Sequence, residues 1–227
     1  MPLLSITGLT KSYIAPDGRR STVVDVAGFS LEAGSQIAVR GRSGSGKTTF
    51  LHLLAGILAA DTGSILIDGQ DMAKLPESKR DRLRADSIGY IFQTFNLLQG
   101  YSALENVLLG MAFAPGGRDR KRALDLLGRV GLEGRLSYRP RQLSTGQQQR
   151  VAVARALAKH PKLVLADEPT GNLDRRNADE ALQLIREICR ENGATLLLVS
   201  HDDAVLDAFE HSIDFSELNR AGREVKL

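Results

Sequence analysis

The chain has 227 residues, of which 42% are hydrophobic and 25% charged, a balance that is typical of a folded globular protein and excludes extended disorder. The formal net charge of +3 is too small to indicate binding to nucleic acid or to an anionic membrane, and we expect no nucleic-acid partner. No stretch approaches the roughly 18–20 apolar residues of a membrane-spanning helix, so we expect no membrane span.

Short apolar runs alternate with helical patterns along most of the chain. Runs of this kind are typical of parallel strands buried on both faces, and we predict an α/β fold with a mostly parallel central sheet. The predicted strands are residues 36–39, 64–67, 88–92, 162–166 and 195–199. A helix predicted at 177–191 carries the single cysteine, Cys189, on its apolar stripe, where we expect a packed core thiol in a reducing cytosol.

The middle third of the chain shows helical patterns and no convincing strand. The patterns cover residues 103–113, 120–130 and 146–159, which predicts an all-helical insertion at approximately residues 94–159 in an α/β core of residues 1–93 and 160–227. A basic cluster opens the second pattern, at Arg118, Arg120, Lys121 and Arg122. We interpret it as the solvated start of a helix rather than as a binding patch.

A glycine-rich segment follows the first of the predicted parallel strands. Residues 41–48 read Gly-Arg-Ser-Gly-Ser-Gly-Lys-Thr, the pattern of a P-loop between a strand and a helix. Glycines let the backbone wrap around phosphates with its N–H groups inward, Lys47 can reach the β- and γ-phosphates, and the Thr48 hydroxyl can bind Mg²⁺. The candidate nucleotide-binding residues are Gly41, Arg42, Ser43, Gly44, Ser45, Gly46, Lys47, Thr48 and Thr49.

Two carboxylates end the apolar strand at residues 162–166. Asp167 is placed to hold Mg²⁺, and Glu168 is one position further, so its side chain points elsewhere and can polarise an attacking water. A P-loop with such a pair indicates a nucleotide triphosphatase. The Asn-Lys-x-Asp motif expected of a GTPase is absent from the sequence.

Several further motifs indicate one family. Residues 143–150, Leu-Ser-Thr-Gly-Gln-Gln-Gln-Arg, resemble the Leu-Ser-Gly-Gly-Gln signature of the ATP-binding subunits of ABC transporters. Gln93 matches the family's Q-loop, residues 171–174 its D-loop, and His201 its H-loop. Tyr13 matches the aromatic residue that stacks on adenine, although a tyrosine in an edge strand often only packs. These motifs follow the family's order across residues 3–203.

The resemblance implies a single ATP-binding domain over residues 1–227, with an N-terminal antiparallel β portion. It also implies a head-to-tail homodimer around two Mg-ATP, in which the P-loop of one subunit meets the signature of the other, at Ser144, Thr145, Gly146 and Gln147. Thr48, Gln93 and Asp167 would form the metal and water shell. Glu168 would be the general base, His201 would fix the γ-phosphate with Lys47, and Asp174 would organise the dimer interface.

One position departs from the family's signature, because Thr145 stands where glycine is usual. Its β-branched side chain requires that the local backbone tolerate angles open to residues other than glycine. We expect retained ATPase activity, at a reduced rate.

The resemblance also implies an integral membrane permease as partner, on the cytoplasmic face of the inner membrane. Its candidate contacts are Phe95, Asn96, Leu97 and Leu98; alternatively, Phe95 and Leu98 only pack the insertion. Residues 103–107, 147–152 and 171–174 are most similar to the lipoprotein-release and macrolide-export branch. A regulatory partner of a cell-division membrane protein, without cargo, remains the alternative function. From Glu210 onward the usual closing hairpin with Asp-Gly is missing.

Overall fold

The computed structural model describes residues 2–16, 18–113 and 116–221; the chain ends, Met1 and residues 222–227, lie outside the described residues. The strands are, in chain order, β1 (Leu4–Ile14), β2 (Arg20–Leu31), β3 (Gln36–Arg40), β4 (Thr62–Ile67), β5 (Gln70–Asp71), β6 (Ile88–Ile91), β7 (Leu163–Asp167), β8 (Thr195–Ser200) and β9 (Ser212–Asp214). The helices are α1 (Lys47–Leu54), α2 (Glu77–Ser87), α3 (Ala103–Leu109), α4 (Arg120–Arg129), α5 (Thr145–Leu157), α6 (Arg175–Glu191), α7 (Asp203–Asp207) and α8 (Phe215–Leu218).

Five strands form a parallel sheet in the order β6-β7-β8-β3-β9. Every residue of β7 and β8 is buried, as their nearly continuous apolar sequences predict for strands covered on both faces. The predicted parallel central sheet is therefore confirmed. Because parallel strands end at the same edge, the segments that follow β3, β7 and β8 come together there.

Four other strands form an antiparallel sheet in the order β2-β1-β4-β5. It includes β4, so the prediction that residues 64–67 form a strand of the parallel sheet was wrong. Ile65 lies opposite Ile6 of β1, whereas Leu66 is 37% exposed, so this strand is covered on one face only. A short apolar run reveals a strand, but three residues are too few to show whether one or both faces are covered.

Two hydrophobic clusters cover the two faces of the parallel sheet. Val39, Leu165 and Leu197 face the cluster that contains α1 and the antiparallel sheet, and Val164 and Leu198 face the cluster that contains the helices of residues 94–159. This alternation follows from the two-residue period of a strand. Cys189 belongs to the second cluster and is fully buried, as predicted, and burial raises the pKa of its thiol to about 12.

The described part of residues 94–159 contains α3, α4, α5 and two short 3₁₀ turns, without a strand. Arg118, Arg120 and Lys121 are exposed, as we predicted for a solvated helix start, and Asp119 caps α4 by accepting a hydrogen bond from Arg122 N at 3.0 Å. The side chain of Arg122 departs from the prediction, because it is half-buried and donates to Asn192 Oδ1 at 2.8 Å. Among the described residues, no helix has the length and apolar character needed to cross a membrane. The predicted limits of the insertion, near residues 94 and 159, stay a prediction.

Candidate nucleotide-binding site

The P-loop connects the end of β3 to the start of α1. Gly44 and Gly46 have φ angles of 76° and 98°, in the left-handed region that favours glycine, so the loop can curl back on itself. Lys47 is only 5% exposed, and its Nζ donates to the carbonyl oxygens of Gly41 at 2.6 Å and Arg42 at 2.9 Å. The lysine charge is therefore held inside the curve of the loop.

A pocket of about 260 Å³ lies beside this loop. It is lined by Val23 of β2, by the P-loop and the start of α1, and by two residues that come from other strand ends, Gln93 and Glu168. The P-loop residues in the lining are Ser43, Gly44, Gly46, Lys47 and Thr48, followed by Thr49. The structure thus brings most of the sequence-predicted nucleotide residues to one pocket.

Asp167 ends β7 next to the P-loop and is 6% exposed. Burial raises the pKa of its carboxyl group, and a hydrogen bond with Thr48 and the positive charge of Lys47 oppose that rise. Burial makes the charged form of this carboxylate unfavourable, and a bound cation would stabilise that form. The carboxylate and the neighbouring hydroxyl are therefore suitable ligands for a cation.

Glu168 follows Asp167 with a φ angle of 42°, one of the few positive values for a residue other than glycine. Its Oε2 lies 2.9 Å from His201 Nδ1, and its Oε1 lies 3.6 Å from Lys47 Nζ. A left-handed backbone at such a residue costs about 1–3 kcal/mol and is typical of functional sites. Here it directs the two neighbouring carboxylates to different partners.

Gln93 lies just after β6, where the D-loop, residues 171–174, contacts it. Asn172 Nδ2 donates to the carbonyl oxygen of Gln93 at 2.6 Å. A Cβ atom at Gly171 would lie 3.8 Å from both Gln93 Nε2 and Glu168 Oε2. Sequence reasoning recognised the D-loop but missed Asn172 as a link between the two loops. The motif marks Asn172 in the sequence, but nothing in the sequence indicates which residue it contacts.

The signature segment lies at the start of α5. Ser144 caps the helix: its Oγ accepts from Gln147 N at 3.3 Å, and Gln147 Oε1 accepts from Ser144 N at 3.1 Å. Thr145 is the first helical residue, is exposed, and is not among the residues with positive φ. Thr145 has a helical backbone, which any L-residue can adopt. The local backbone therefore accepts threonine in place of the family's glycine.

Asp174 caps the neighbouring helix α6. Its carboxylate accepts from Asn177 N at 3.1 Å and from Asn177 Nδ2 at 2.5 Å, and these bonds lower its pKa. Asn177 also lies against the signature, because a Cβ atom at Gly146 would be 3.2 Å from its Oδ1. The two exposed helix starts are therefore adjacent, and none of these residues lines the P-loop pocket.

Four predicted nucleotide residues do not line that pocket: Tyr13, Gly41, Arg42 and Ser45. Tyr13 is 42% exposed on β1, with Lys11 Nζ 5.8 Å from its ring centroid, and Val23 of the neighbouring strand lines the pocket instead. Arg42 is exposed on the other side of the loop, beside His201 and Asp214. Stacking of Tyr13 on a base stays a prediction.

The donor set fits magnesium better than a structural transition metal. Within the described residues, no group of three or more histidine, cysteine or acidic side chains is placed to hold a metal ion. The Thr48 hydroxyl and the Asp167 carboxylate are hard oxygen donors, and Mg²⁺ typically takes one or two such protein groups together with phosphate oxygens and water.

Comparisons with known proteins agree with this geometry. A protein-family model described as ABC transporter matches residues 24–171. The chain is 46% identical, over 90% of each sequence, to the lipoprotein-releasing system ATP-binding protein LolD 2 of Rhodospirillum rubrum. Two solved structures of the cassette MJ0796, both dimeric and one bound to ADP and Pi, match 93% of each chain with a TM-score of 0.85 at 34% and 35% identity.

Proposed function

This chain belongs to the ABC transporter family as an ATP-hydrolysing subunit of the LolD type, and we propose that it closes head-to-tail with a second copy around two Mg-ATP to drive a separate membrane permease. The observation that carries the proposal is the group formed by Lys47, Glu168 and His201. Their side-chain distances are 3.6 Å from Lys47 to Glu168 and 2.9 Å from Glu168 to His201.

Each group in or beside the pocket has a distinct part in hydrolysis. The loop N–H groups and Lys47 bind the phosphates, and Glu168, oriented by His201, accepts the proton of the attacking water. Thr48, Asp167 and Gln93 would hold Mg²⁺, which neutralises charge on the phosphate oxygens when bound. His201 orients Glu168 through Nδ1 and would contact the γ-phosphate through its other ring nitrogen, Nε2.

The proposed dimer follows from the separation of two surfaces. The exposed start of α5 is a helix N-terminus, which can bind an anion such as a phosphate. Within one chain, however, it does not line the P-loop pocket. A second copy, arranged head-to-tail, would bring Ser144 and Gly146 to the phosphates and Asp174 to the shared interface. The dimeric MJ0796 structures support the formation of a dimer.

The permease contact that we propose is smaller than the sequence indicated. Phe95 and Leu97 are 8% and 7% exposed and pack in the core, whereas Leu98 is 42% exposed and Asn96 is exposed beside it. The contact would place this subunit on the cytoplasmic face of the inner membrane. The identity to LolD 2 supports release of a lipid-anchored cargo over a cell-division role without cargo.

Purification of the chain from its own membranes in mild detergent tests the proposal. We expect an integral membrane protein to co-purify in a fixed ratio, and we expect a lipoprotein to leave vesicles containing the pair only when ATP is present. Retention of the membrane partner without any ATP-dependent loss of cargo would favour the regulatory alternative. If the chain hydrolyses ATP but no membrane protein co-purifies with it, the permease proposal is contradicted.

A further inference from the structure

The segment of residues 212–221 contacts the P-loop, and together with Gly41, Arg42 and Ser45 it lines a pocket other than the nucleotide pocket. Strand β9 pairs with β3, the strand that leads into the loop, with Asp214 opposite Arg40. The next residue, Phe215, is 1% exposed, and a Cβ atom at Gly41 would lie 3.2 Å from its Cβ. The same ring is 5.4 Å from the ring of Phe50 in α1. This segment therefore supports both ends of the loop.

Asn219 connects this segment to the loop itself. The side chain is 5% exposed, and its Nδ2 donates to Val23 O at 2.9 Å and to Ser45 O at 3.3 Å. Its Oδ1 accepts from Asp25 N at 2.8 Å and from Ala221 N at 3.2 Å. Both ends of one amide thus bind four backbone groups, from the P-loop, β2 and the chain's C-terminal part.

We propose that Asn219 is a positioning residue that sets the affinity of the P-loop for nucleotide. The carbonyl of Ser45 and the N–H of Gly46 belong to one planar trans peptide and point in opposite directions. When Asn219 holds the carbonyl on its own side, the N–H of Gly46 is turned toward the pocket that Gly46 lines. The φ angle of 98° at Gly46 makes this peptide easy to rotate without such a restraint.

The test compares nucleotide binding by three variants of the full chain; the inference rests on the proposed role of the P-loop. Asn219→Asp keeps the acceptor oxygen but removes the donor to Ser45 O, and Asn219→Ala removes both. Asn192→Ala is the matched control, because the amide of Asn192 likewise both donates, to Ile188 O, and accepts, from Arg122. Asn192 lies at the far end of the 17-residue helix α6, roughly 25 Å along its axis from Asp174.

Calorimetry with MgADP should give a dissociation constant about tenfold higher for both Asn219 variants and unchanged for Asn192→Ala. The KM for ATP should rise in parallel while kcat changes less, because a positioned loop binds substrate and transition state alike. If the folded Asn219 variants bind MgADP as the unaltered chain does, the inference is overturned. If the unaltered chain itself fails to bind, the proposed function fails with it.

Hydrogen exchange on the unaltered chain gives a second test that needs no variant. The N–H groups of Arg220 and Ala221 bond Asp25 O and Asn219 Oδ1, and neither residue lines the P-loop pocket. Because coupling between two sites is reciprocal, MgADP should slow exchange at these two amides. Unchanged exchange at saturating MgADP would overturn the inference even if the variants do not fold.

Discussion

Asp167 and Glu168 are adjacent in the chain, yet their carboxyl groups have different surroundings. Asp167 is buried beside Thr48, and burial raises its pKa, whereas Glu168 leaves the strand with a φ angle of 42° and turns to Lys47 and His201. This difference suits the roles that we propose, in which one carboxylate would bind a cation and the other would accept a proton.

Replacement of Asp167 by asparagine separates its role in folding from its role in binding. Since the folded pKa is raised above 3.8, the folded chain holds the proton more tightly, and the free energy of unfolding falls as pH rises from about 3.8 to the folded pKa. At neutral pH the charged form therefore destabilises the nucleotide-free protein. We expect Asp167→Asn to melt at a higher temperature in EDTA and to lose most of the stabilisation given by MgATP.

Thermal unfolding with EDTA and with MgATP checks both parts. A lower melting temperature in EDTA would show that the carboxylate is satisfied by the protein alone. A MgATP shift equal to that of the unaltered chain would remove Asp167 from the metal shell.

Thr145 tests whether the signature sets the rate. Its side chain is exposed at the first residue of α5, where a head-to-tail partner would bring a phosphate. We expect Thr145→Gly to hydrolyse ATP faster, with Thr145→Ala between the two, because removal of the side chain opens the helix N-terminus. Stability should change by no more than about 1 kcal/mol. Equal steady-state rates for all three proteins would reject the idea that threonine slows the cycle.

At the scale of elements, Arg155 joins α5 to the segment after Gln93. Its guanidinium donates to Phe95 O and Asn96 O, both at 2.6 Å, and these two residues have φ angles of 59° and 48°. Burial lowers the pKa of Arg155, which shows how far this group is removed from water. The signature helix and the proposed permease contact are therefore tied by one side chain.

We expect Arg155→Ala to lower the free energy of unfolding by about 3 kcal/mol, since two hydrogen bonds from a charged group are lost and two strained residues lose their support. Urea denaturation measures this change. Arg129→Ala is the control, because Arg129 makes an exposed ion pair with Glu191 that contributes little. A similar cost for both variants would mean that the contact of Arg155 is no more than a surface interaction.

Part of the fold follows directly from the sequence. The apolar runs that became β3, β6, β7 and β8, and the P-loop between β3 and α1, were predicted because burial on both faces demands continuous apolar residues. Helix α2 was not predicted, since only Leu83 and Ser87 of its 11 residues are buried and its pattern has no apolar stripe.

The sequence indicates the main residues of the site but not all of the contacts that hold them. Motif spacing indicated Lys47, Asp167 and Glu168, because strand ends and glycine turns fix those positions locally. The contacts of Asn172 with Gln93 and of Asn219 with Ser45 join residues 79 and 174 positions apart. Single asparagines at such separations carry no periodicity or spacing from which a contact could be inferred.

At the scale of the whole molecule, the chain carries two surfaces that a complete ATPase site needs, but it holds them apart. The P-loop pocket is lined by residues from β2, the loop and the ends of β6 and β7, whereas Ser144 and Asp174 start helices outside that lining. In the dimer that we propose, a second copy would close the site, and binding of ATP would be coupled to association.

Sedimentation of Glu168→Gln with MgATP is the measurement that tests this account most directly. With the proton acceptor removed, hydrolysis should fall by about 10²–10⁴-fold, and bound ATP should hold two chains together. We expect a species with the mass of two chains in MgATP and of one chain in EDTA, with Glu191→Gln behaving as the unaltered protein. A Glu168→Gln variant that hydrolyses ATP normally, or that binds MgATP and stays monomeric, would contradict the account.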